Sequence, residues 1–127
     1  MRVFLVRHAE AAPGDPDELR PLTEAGRATA RAIAERLAAE PLDAVVSSPL
    51  LRARETAAVI ADAAGLAAEI EPALAPGATA QVLAKALAGR GDAVVAVGHQ
   101  PDLGAIVLEL TGDRVPFAPG TLFEVSL

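Results

Sequence analysis

Five short apolar runs alternate with four helical patterns along this chain of 127 residues, and that alternation limits the possible folds more than any other feature. The first, second and fourth runs are continuous rather than alternating, as is typical of strands buried on both faces. The pattern predicts an α/β fold, a three-layer α/β/α sandwich around a mostly parallel central sheet. The direction of the last strand is left open. The runs cover residues 3–6, 43–46, 67–70, 93–97 and 122–125.

Four segments place apolar residues at the i, i+3, i+4, i+7 spacing of one helix face. Thr23 is predicted to cap the first helix, and Ser48 followed by Pro49 is predicted to start the second. Gly65 and Gly112 fit helix ends. The four patterns begin at Ala30, Thr56, Ala80 and Leu103.

The length suffices for one hydrophobic core, and no linker or repeat interrupts the pattern, so we expect a single domain over residues 1–127. Cysteine is absent, which excludes disulfides and thiolate metal sites. His8 and His99 are the only histidines, and neither has the spacing of a metal motif. We therefore expect no metal and no other cofactor.

The formal net charge of -6 argues against a nucleic-acid partner or an anionic membrane surface, because both require a basic face. No apolar run approaches the length of a membrane span or of a signal-peptide core. We expect a cytoplasmic protein. The sequence leaves its oligomeric state open.

Polar residues follow three of the predicted strands, at the edge where ligands bind in open parallel sheets. The first strand runs into Arg7 and His8, and the fourth runs into Gly98 and His99. The second runs into a pair of serines, with Arg52 one helical turn later. Both histidines of the chain are therefore predicted to lie at the same edge of one sheet.

These residue types suit phosphoryl chemistry. A neutral imidazole is a competent nucleophile, and arginine binds phosphate oxygens with a planar fork that keeps its charge. Arginines beside His8 and His99 would also disfavour imidazolium. Arg52 and Arg54 lie on nearly opposite sides of a helix, so only one can face this site. We assign Arg52, which shares a face with Thr56, and leave Arg54 to solvent or to Glu55.

Four stretches of the chain resemble the histidine phosphatase superfamily, also called the phosphoglycerate-mutase-like family. The resemblance implies that His8 is the phosphorylated nucleophile and that Arg7 and Arg52 bind the phosphoryl group. It also implies that His99 stabilises the transferring group. The stretches, in the family's order, are LVRHAEA at 5–11, LRPLTEAGRATA at 19–30, VVSSPLLRARETA at 45–57 and VVAVGHQPDL at 94–103.

Within the superfamily, the chain is similar to the compact SixA-like phosphohistidine phosphatases, which lack cap insertions. The resemblance implies that Arg20, in RPLTEAG, helps to bind phosphate or a substrate carboxylate. Family members that cleave phosphate esters usually carry an acid just after the third strand. Residues 72–80, PALAPGATA, contain no carboxylate. Glu10, two residues past the predicted nucleophile, is a possible alternative acid.

Three functions remain open, and we rank phosphohistidine phosphatase first, because an imidazole leaving group needs an enzyme acid less than an alkoxide does. Its partner would be a phosphorylated protein. A small-molecule phosphomonoesterase or mutase with a small phosphorylated substrate is the alternative. A phosphate-binding module without turnover ranks last.

Several polar residues near the site also have simple structural interpretations. Ser47 and Ser48 are expected to be turn and capping residues, since no nucleophile elbow surrounds them. Arg20 could equally be a surface residue paired with a neighbouring acid. The acidic cluster of Asp15, Asp17 and Glu18 is most simply a solvated loop; a rim that screens substrates is the alternative.

Overall fold

The computed structural model describes all residues, 1–127, and its centre is a five-stranded sheet in the order β3-β2-β4-β1-β5. The neighbouring strands β3, β2, β4 and β1 run parallel to one another, and β5 pairs antiparallel with β1. The predicted α/β fold is confirmed, and the open direction of the last strand is now assigned. The strands are β1 Arg2–Arg7, β2 Ala44–Ser47, β3 Ala68–Ile70, β4 Ala93–Gly98 and β5 Leu122–Ser126.

Four helices flank the sheet, and none has the length and hydrophobicity that crossing a bilayer requires. The hydroxyl of Thr23 accepts a hydrogen bond from the backbone N–H of Gly26 and so caps α1, as predicted. Gly112 ends α4 in the left-handed conformation, with φ of 78°. The helices are α1 Glu24–Arg36, α2 Leu51–Ala63, α3 Ala80–Leu87 and α4 Asp102–Thr111.

Alternate side chains of the central strands enter two separate cores, one on each face of the sheet. Phe4 and Val6 pack with α1 and α2, whereas Val3 and Leu5 pack with α3 and α4. Strands that are covered on both faces must be apolar throughout, which explains the continuous runs in the sequence. This arrangement is the three-layer sandwich expected from the alternation.

The predicted start of α2 at Ser48 and Pro49 is wrong. Leu50 remains extended, with φ of -68° and ψ of 139°, and the helix begins at Leu51. The Ser48 hydroxyl accepts a hydrogen bond from the N–H of Leu50, which closes a turn before the helix instead of capping it.

The connection from β1 to α1 folds back on itself beside the carboxyl end of the sheet. Ala11 forms an isolated antiparallel bridge with Leu22, and the N–H of Ala12 donates to the carbonyl of Pro21 at 2.8 Å. Residues 13–20, which connect the two paired segments, form a loop that contains a 3-10 turn, Asp17–Leu19. The pairing holds this loop over the strand ends.

Candidate active site

The backbone pairing of the three central strands continues one residue beyond their ends. The N–H of His8 donates to the carbonyl of Gly98 at 3.2 Å, and the N–H of Ser48 donates to that of Val97 at 3.0 Å. His8, Ser48 and His99 therefore lie side by side. The two imidazole rings are tilted by 53°, with centroids 5.3 Å apart.

A cleft of about 300 Å³ opens above these strand ends. Its wall contains all six residues that the sequence analysis assigned to the site. Arg54 lies outside the cleft and is exposed, whereas Arg52 is only 8% exposed. The lining residues are Arg7, His8, Glu10, Ala11, Arg20, Arg52, Pro76, His99, Gln100 and Pro119.

The imidazole of His8 is buried, and its hydrogen bonding determines which nitrogen faces the cleft. Nδ1 lies 2.8 Å from the carbonyl oxygen of Ala9. A carbonyl oxygen only accepts, so Nδ1 of the neutral ring carries the proton and Nε2 carries the lone pair. Nε2 has no partner in the protein and is not sealed from solvent, so it presents a free lone pair to the cleft.

The imidazole of His99 is 5% exposed and is held from the opposite side. Its Nε2 lies 2.7 Å from Oγ of Ser48, which is fully buried. Nδ1 of His99 has no protein partner, and it too is open to the cleft. The expectation that Ser48 is a turn or capping residue was therefore incomplete. The sequence places Ser48 just after the second strand, but it reaches His99 only because β2 neighbours β4 in the sheet.

Arg7 points its guanidinium at this site with part of its bonding capacity unused. Nη1 donates to the carbonyl of Phe117 at 2.8 Å. Nε of Arg7 is the one buried side-chain nitrogen or oxygen in the structure without a hydrogen-bond partner. Nη2 has no partner in the protein and is not sealed from solvent, so Arg7 offers the cleft a free donor and a positive charge, which suits an anion.

Arg52 is paired with Asp17, so this member of the acidic cluster is not simply a solvated side chain, whereas Asp15 and Glu18 are exposed as expected. Nη1 of Arg52 donates to the backbone carbonyl of Asp17 at 3.0 Å, and Nη2 lies 3.2 Å from its carboxylate. Arg20 donates from Nη1 to the same carboxylate at 3.1 Å and from Nε to the carbonyl of Ala12 at 2.8 Å. Arg20 is thus both paired with Asp17 and part of the cleft wall.

Burial and the nearby positive charges keep both imidazoles neutral. Burial lowers the pKa of His99 from 6.5 to about 4, with further contributions from His8 and Arg52. The pKa of His8 is also lowered, chiefly by burial and then by Arg52, Arg7 and Arg20, against the hydrogen bond to Ala9. The arginines disfavour imidazolium, as predicted, but burial is the larger cause.

Glu10 is the only carboxylate in the cleft wall. Its Oε1 accepts a hydrogen bond from the Thr23 hydroxyl at 2.7 Å. The segment after β3 contributes only Pro76 to the cleft. Glu71, at the start of that segment, accepts instead from Arg90 at 3.0 Å and from the N–H of Ala73 at 2.9 Å.

No three His, Cys, Asp or Glu side chains gather in the structure as a metal site would require. The cleft instead combines three guanidinium groups, an imidazole with a free lone pair and a second imidazole with a free nitrogen. Such a set can bind a small tetrahedral anion and attack its central atom.

Comparison with known proteins gives three kinds of match. The sequence profile of the histidine phosphatase superfamily, branch 1, matches residues 3–76. A solved structure of the protein histidine phosphatase SixA, complexed with tungstate, superposes with a TM-score of 0.87. At 33% identity, that match covers 100% of this chain and 88% of the other.

Two sequence relatives extend the comparison. A protein of Picosynechococcus sp. without an assigned activity is 38% identical over 91% of this chain and 78% of its own length. A protein of Photorhabdus laumondii described as phosphoglycerate mutase GpmB is 37% identical over 58% of this chain. The aligned region spans only 37% of the mutase.

Proposed function

The chain belongs to branch 1 of the histidine phosphatase superfamily, and on that premise we propose that it is a phosphohistidine phosphatase whose catalytic domain comprises residues 1–127. The observation that carries the proposal is the lone pair on Nε2 of His8, which faces a cleft walled by Arg7, Arg20, Arg52 and His99. A nucleophile surrounded by cationic and hydrogen-bonding groups fits a phosphoryl substrate better than any neutral electrophile.

In the first step, Nε2 of His8 attacks phosphorus in line with the leaving group. A bond forms between Nε2 and phosphorus, and the bond from phosphorus to the substrate nitrogen breaks. The leaving imidazole nitrogen takes a proton from water or from Glu10. Arg7, Arg52 and His99 hold the phosphoryl oxygens, and Arg20 supports them from the rim.

In the second step, water attacks the phosphorus of phospho-His8. The P–N bond breaks, inorganic phosphate leaves, and Nε2 recovers its lone pair. The hydrogen bond from Nδ1 of His8 to the carbonyl of Ala9 supports the first step, because it stabilises the positive charge that the ring gains on phosphorylation. In the second step the same bond keeps the proton on Nδ1, so the ring leaves phosphorus as a neutral imidazole.

The substrate proposal rests on the absence of an acidic side chain in the part of the cleft wall that follows β3. The segment after β3 lines the cleft with Pro76, and Glu71 is bound to Arg90. An alkoxide leaving group would need a strong proton donor here, whereas an imidazole leaving group accepts a proton near neutrality. The cleft therefore suits P–N cleavage, and we propose a phosphohistidine side chain on a partner protein as the substrate.

The test compares initial rates on a phosphohistidine protein and on a panel of sugar phosphates and phosphoglycerates. We expect clear preference for the phosphohistidine protein, loss of turnover in His8→Ala and a large decrease in His99→Ala. Arg54→Ala, which changes an exposed arginine outside the cleft, is the matched control. Preference for the esters would reject the proposed substrate but not the proposed role of His8 as the nucleophile.

The second candidate is a small-molecule phosphomonoesterase or mutase, which the similarity to the GpmB protein favours. Turnover of phosphoglycerates in the same panel would support it. A binding module without turnover would leave no acid-labile phosphate on His8 after mixing with substrate and rapid quenching. Detection of that phosphate in the wild type, and its absence in His8→Ala, would exclude this third function.

A further inference from the structure

The Ser48 hydroxyl is the only group that contacts the ring nitrogens of His99, and its surroundings limit where its proton can lie. Ser48 is 0% exposed. Its Oγ accepts a hydrogen bond from the N–H of Leu50 at 3.2 Å and lies 2.7 Å from Nε2 of His99. Because the N–H of Leu50 is a donor, the hydroxyl proton cannot be directed towards it.

The remaining partner determines the orientation of the hydroxyl. A serine hydroxyl has one proton to donate, and Nε2 of His99 is the only acceptor that Oγ reaches. If Nε2 carried a proton instead, the hydroxyl proton would be buried without a partner, which costs about 1–3 kcal/mol. The proton therefore points at Nε2, and Nε2 carries a lone pair.

We propose that Ser48 is a positioning residue that holds neutral His99 in the Nδ1–H tautomer, so that His99 faces the cleft as a hydrogen-bond donor. For a phosphoryl group in the cleft, which rests on the proposed function, Nδ1–H would donate to an oxygen that gains charge during transfer. The opposite tautomer would present a lone pair to that oxygen and repel it.

The two histidines thus share one tautomer but show opposite nitrogens to the cleft. The carbonyl of Ala9 holds the proton on Nδ1 of His8 and leaves the Nε2 lone pair free for attack. The Ser48 hydroxyl binds Nε2 of His99 and leaves its Nδ1–H free for donation. Second partners of this kind commonly select the active ring nitrogen.

The decisive measurement is the protonation of the His99 ring nitrogens in the wild-type protein. Two-bond ¹H–¹⁵N correlation spectra of protein labelled at histidine distinguish protonated from unprotonated ring nitrogens, and a His8→Ala sample assigns the two rings. At pH 7 we expect an unprotonated Nε2 and a protonated Nδ1 in His99. A protonated Nε2 in the wild type would overturn the proposal, and this needs no variant that must fold.

Ser48→Ala tests the consequence, and Ser47→Ala is the matched control because it deletes the neighbouring buried hydroxyl, which donates to a backbone carbonyl and not to His99. We expect Ser48→Ala to increase the Nε2–H fraction of His99 and, by removing one oriented donor, to lower kcat about 10-fold. Ser47→Ala should keep the wild-type tautomer. An unchanged tautomer in Ser48→Ala would also overturn the proposal.

The activity proposal can fail independently of the tautomer. A wild-type protein without phosphohistidine hydrolysis but with His99 in the Nδ1–H form would reject the function and retain the role of Ser48. A wild-type protein that hydrolyses phosphohistidine with His99 in the Nε2–H form would retain the function and reject the role of Ser48.

Discussion

The carboxylate of Asp17 lies 3.2 Å from Nη2 of Arg52. An acidic side chain of the protein itself therefore pairs with the arginine that we assign to binding the phosphoryl group. The same carboxylate lies 3.1 Å from Nη1 of Arg20. The hydrogen bond from Arg20, with further help from Arg52, holds the pKa of Asp17 below its usual range. The side chain is 58% exposed, so an anion that enters from solvent would compete with it for the two arginines.

Asp17→Asn is expected to strengthen the binding of inorganic phosphate or tungstate about 2- to 10-fold, because the anion no longer competes with a carboxylate for two arginines. Isothermal titration calorimetry measures the dissociation constant. Asp15→Asn makes the same change of net charge on the same loop, at an exposed residue without a hydrogen bond to either arginine, and should leave that constant within 2-fold. Equal effects of both variants would contradict the prediction.

Arg52→Lys is expected to lower kcat/KM for phosphohistidine about 100-fold, since lysine lacks the planar fork that binds two oxygens at once. Arg54→Lys is the matched control, because Arg54 is exposed and outside the cleft. It should stay within about 2-fold of the wild type. A comparable loss in both variants, or wild-type activity in Arg52→Lys, would remove Arg52 from the phosphate site.

The two histidines should titrate below the normal value of 6.5, with His99 near 4, when their C2–H resonances are followed by NMR. Between these two values the unfolded chain binds a proton at residue 99 and the folded chain does not. His99 therefore leaves the free energy of unfolding undiminished above pH 6.5 and lowers it progressively as the pH falls from 6.5 towards 4.

The stability consequence is measurable by urea unfolding at pH 7 and pH 5. Because His99→Asn has no proton to gain, its loss of stability between the two pH values should be smaller than that of the wild type by up to about 2 kcal/mol. The carboxylates that titrate in this range are common to both proteins, so they cancel in the comparison. Equal losses would mean that the pKa of His99 is not lowered.

The positions of Arg7, His8 and His99 were predictable from sequence because continuous apolar runs identify parallel strands, and parallel strands bring their carboxyl ends to one edge. The contacts of Asp17 and Ser48 were not. Asp17 reaches Arg52 only because the chain folds back through the Ala11–Leu22 bridge, and no periodic pattern encodes that loop. Ser48 resembled a helix cap because its neighbour is proline, and its bond to His99 depends on strand order.

Gly26→Ala is expected to destabilise the protein by about 1–3 kcal/mol, although alanine is the better helix former. A Cβ at residue 26 would clash with the carbonyl oxygen of Glu10, and backbone cannot move aside cheaply. Gly14→Ala is the control in the adjacent loop, since its Cβ would meet only Arg20 Cγ at 3.5 Å. Urea unfolding measures both, and a Gly26→Ala protein as stable as the wild type would contradict the close packing.

Glu10→Gln tests whether the only carboxylate in the cleft wall protonates the leaving group. General acid catalysis contributes most where the leaving group is most basic, typically 10²–10⁴-fold in total. If Glu10 is the proton donor, then across a series of aryl phosphates the loss should be about 100-fold for the most basic phenolate and small for 4-nitrophenyl phosphate.

Glu18→Gln is the control, because it removes a carboxylate from the exposed loop beside the cleft. Its effect on the rate should be the same for every aryl phosphate in the series. A uniform decrease in Glu10→Gln as well would assign Glu10 to holding Thr23, to which it is bonded at 2.7 Å, and would leave water as the proton donor. The dependence on leaving-group basicity thus separates a chemical role of Glu10 from a structural one, which the activity on a single substrate cannot do.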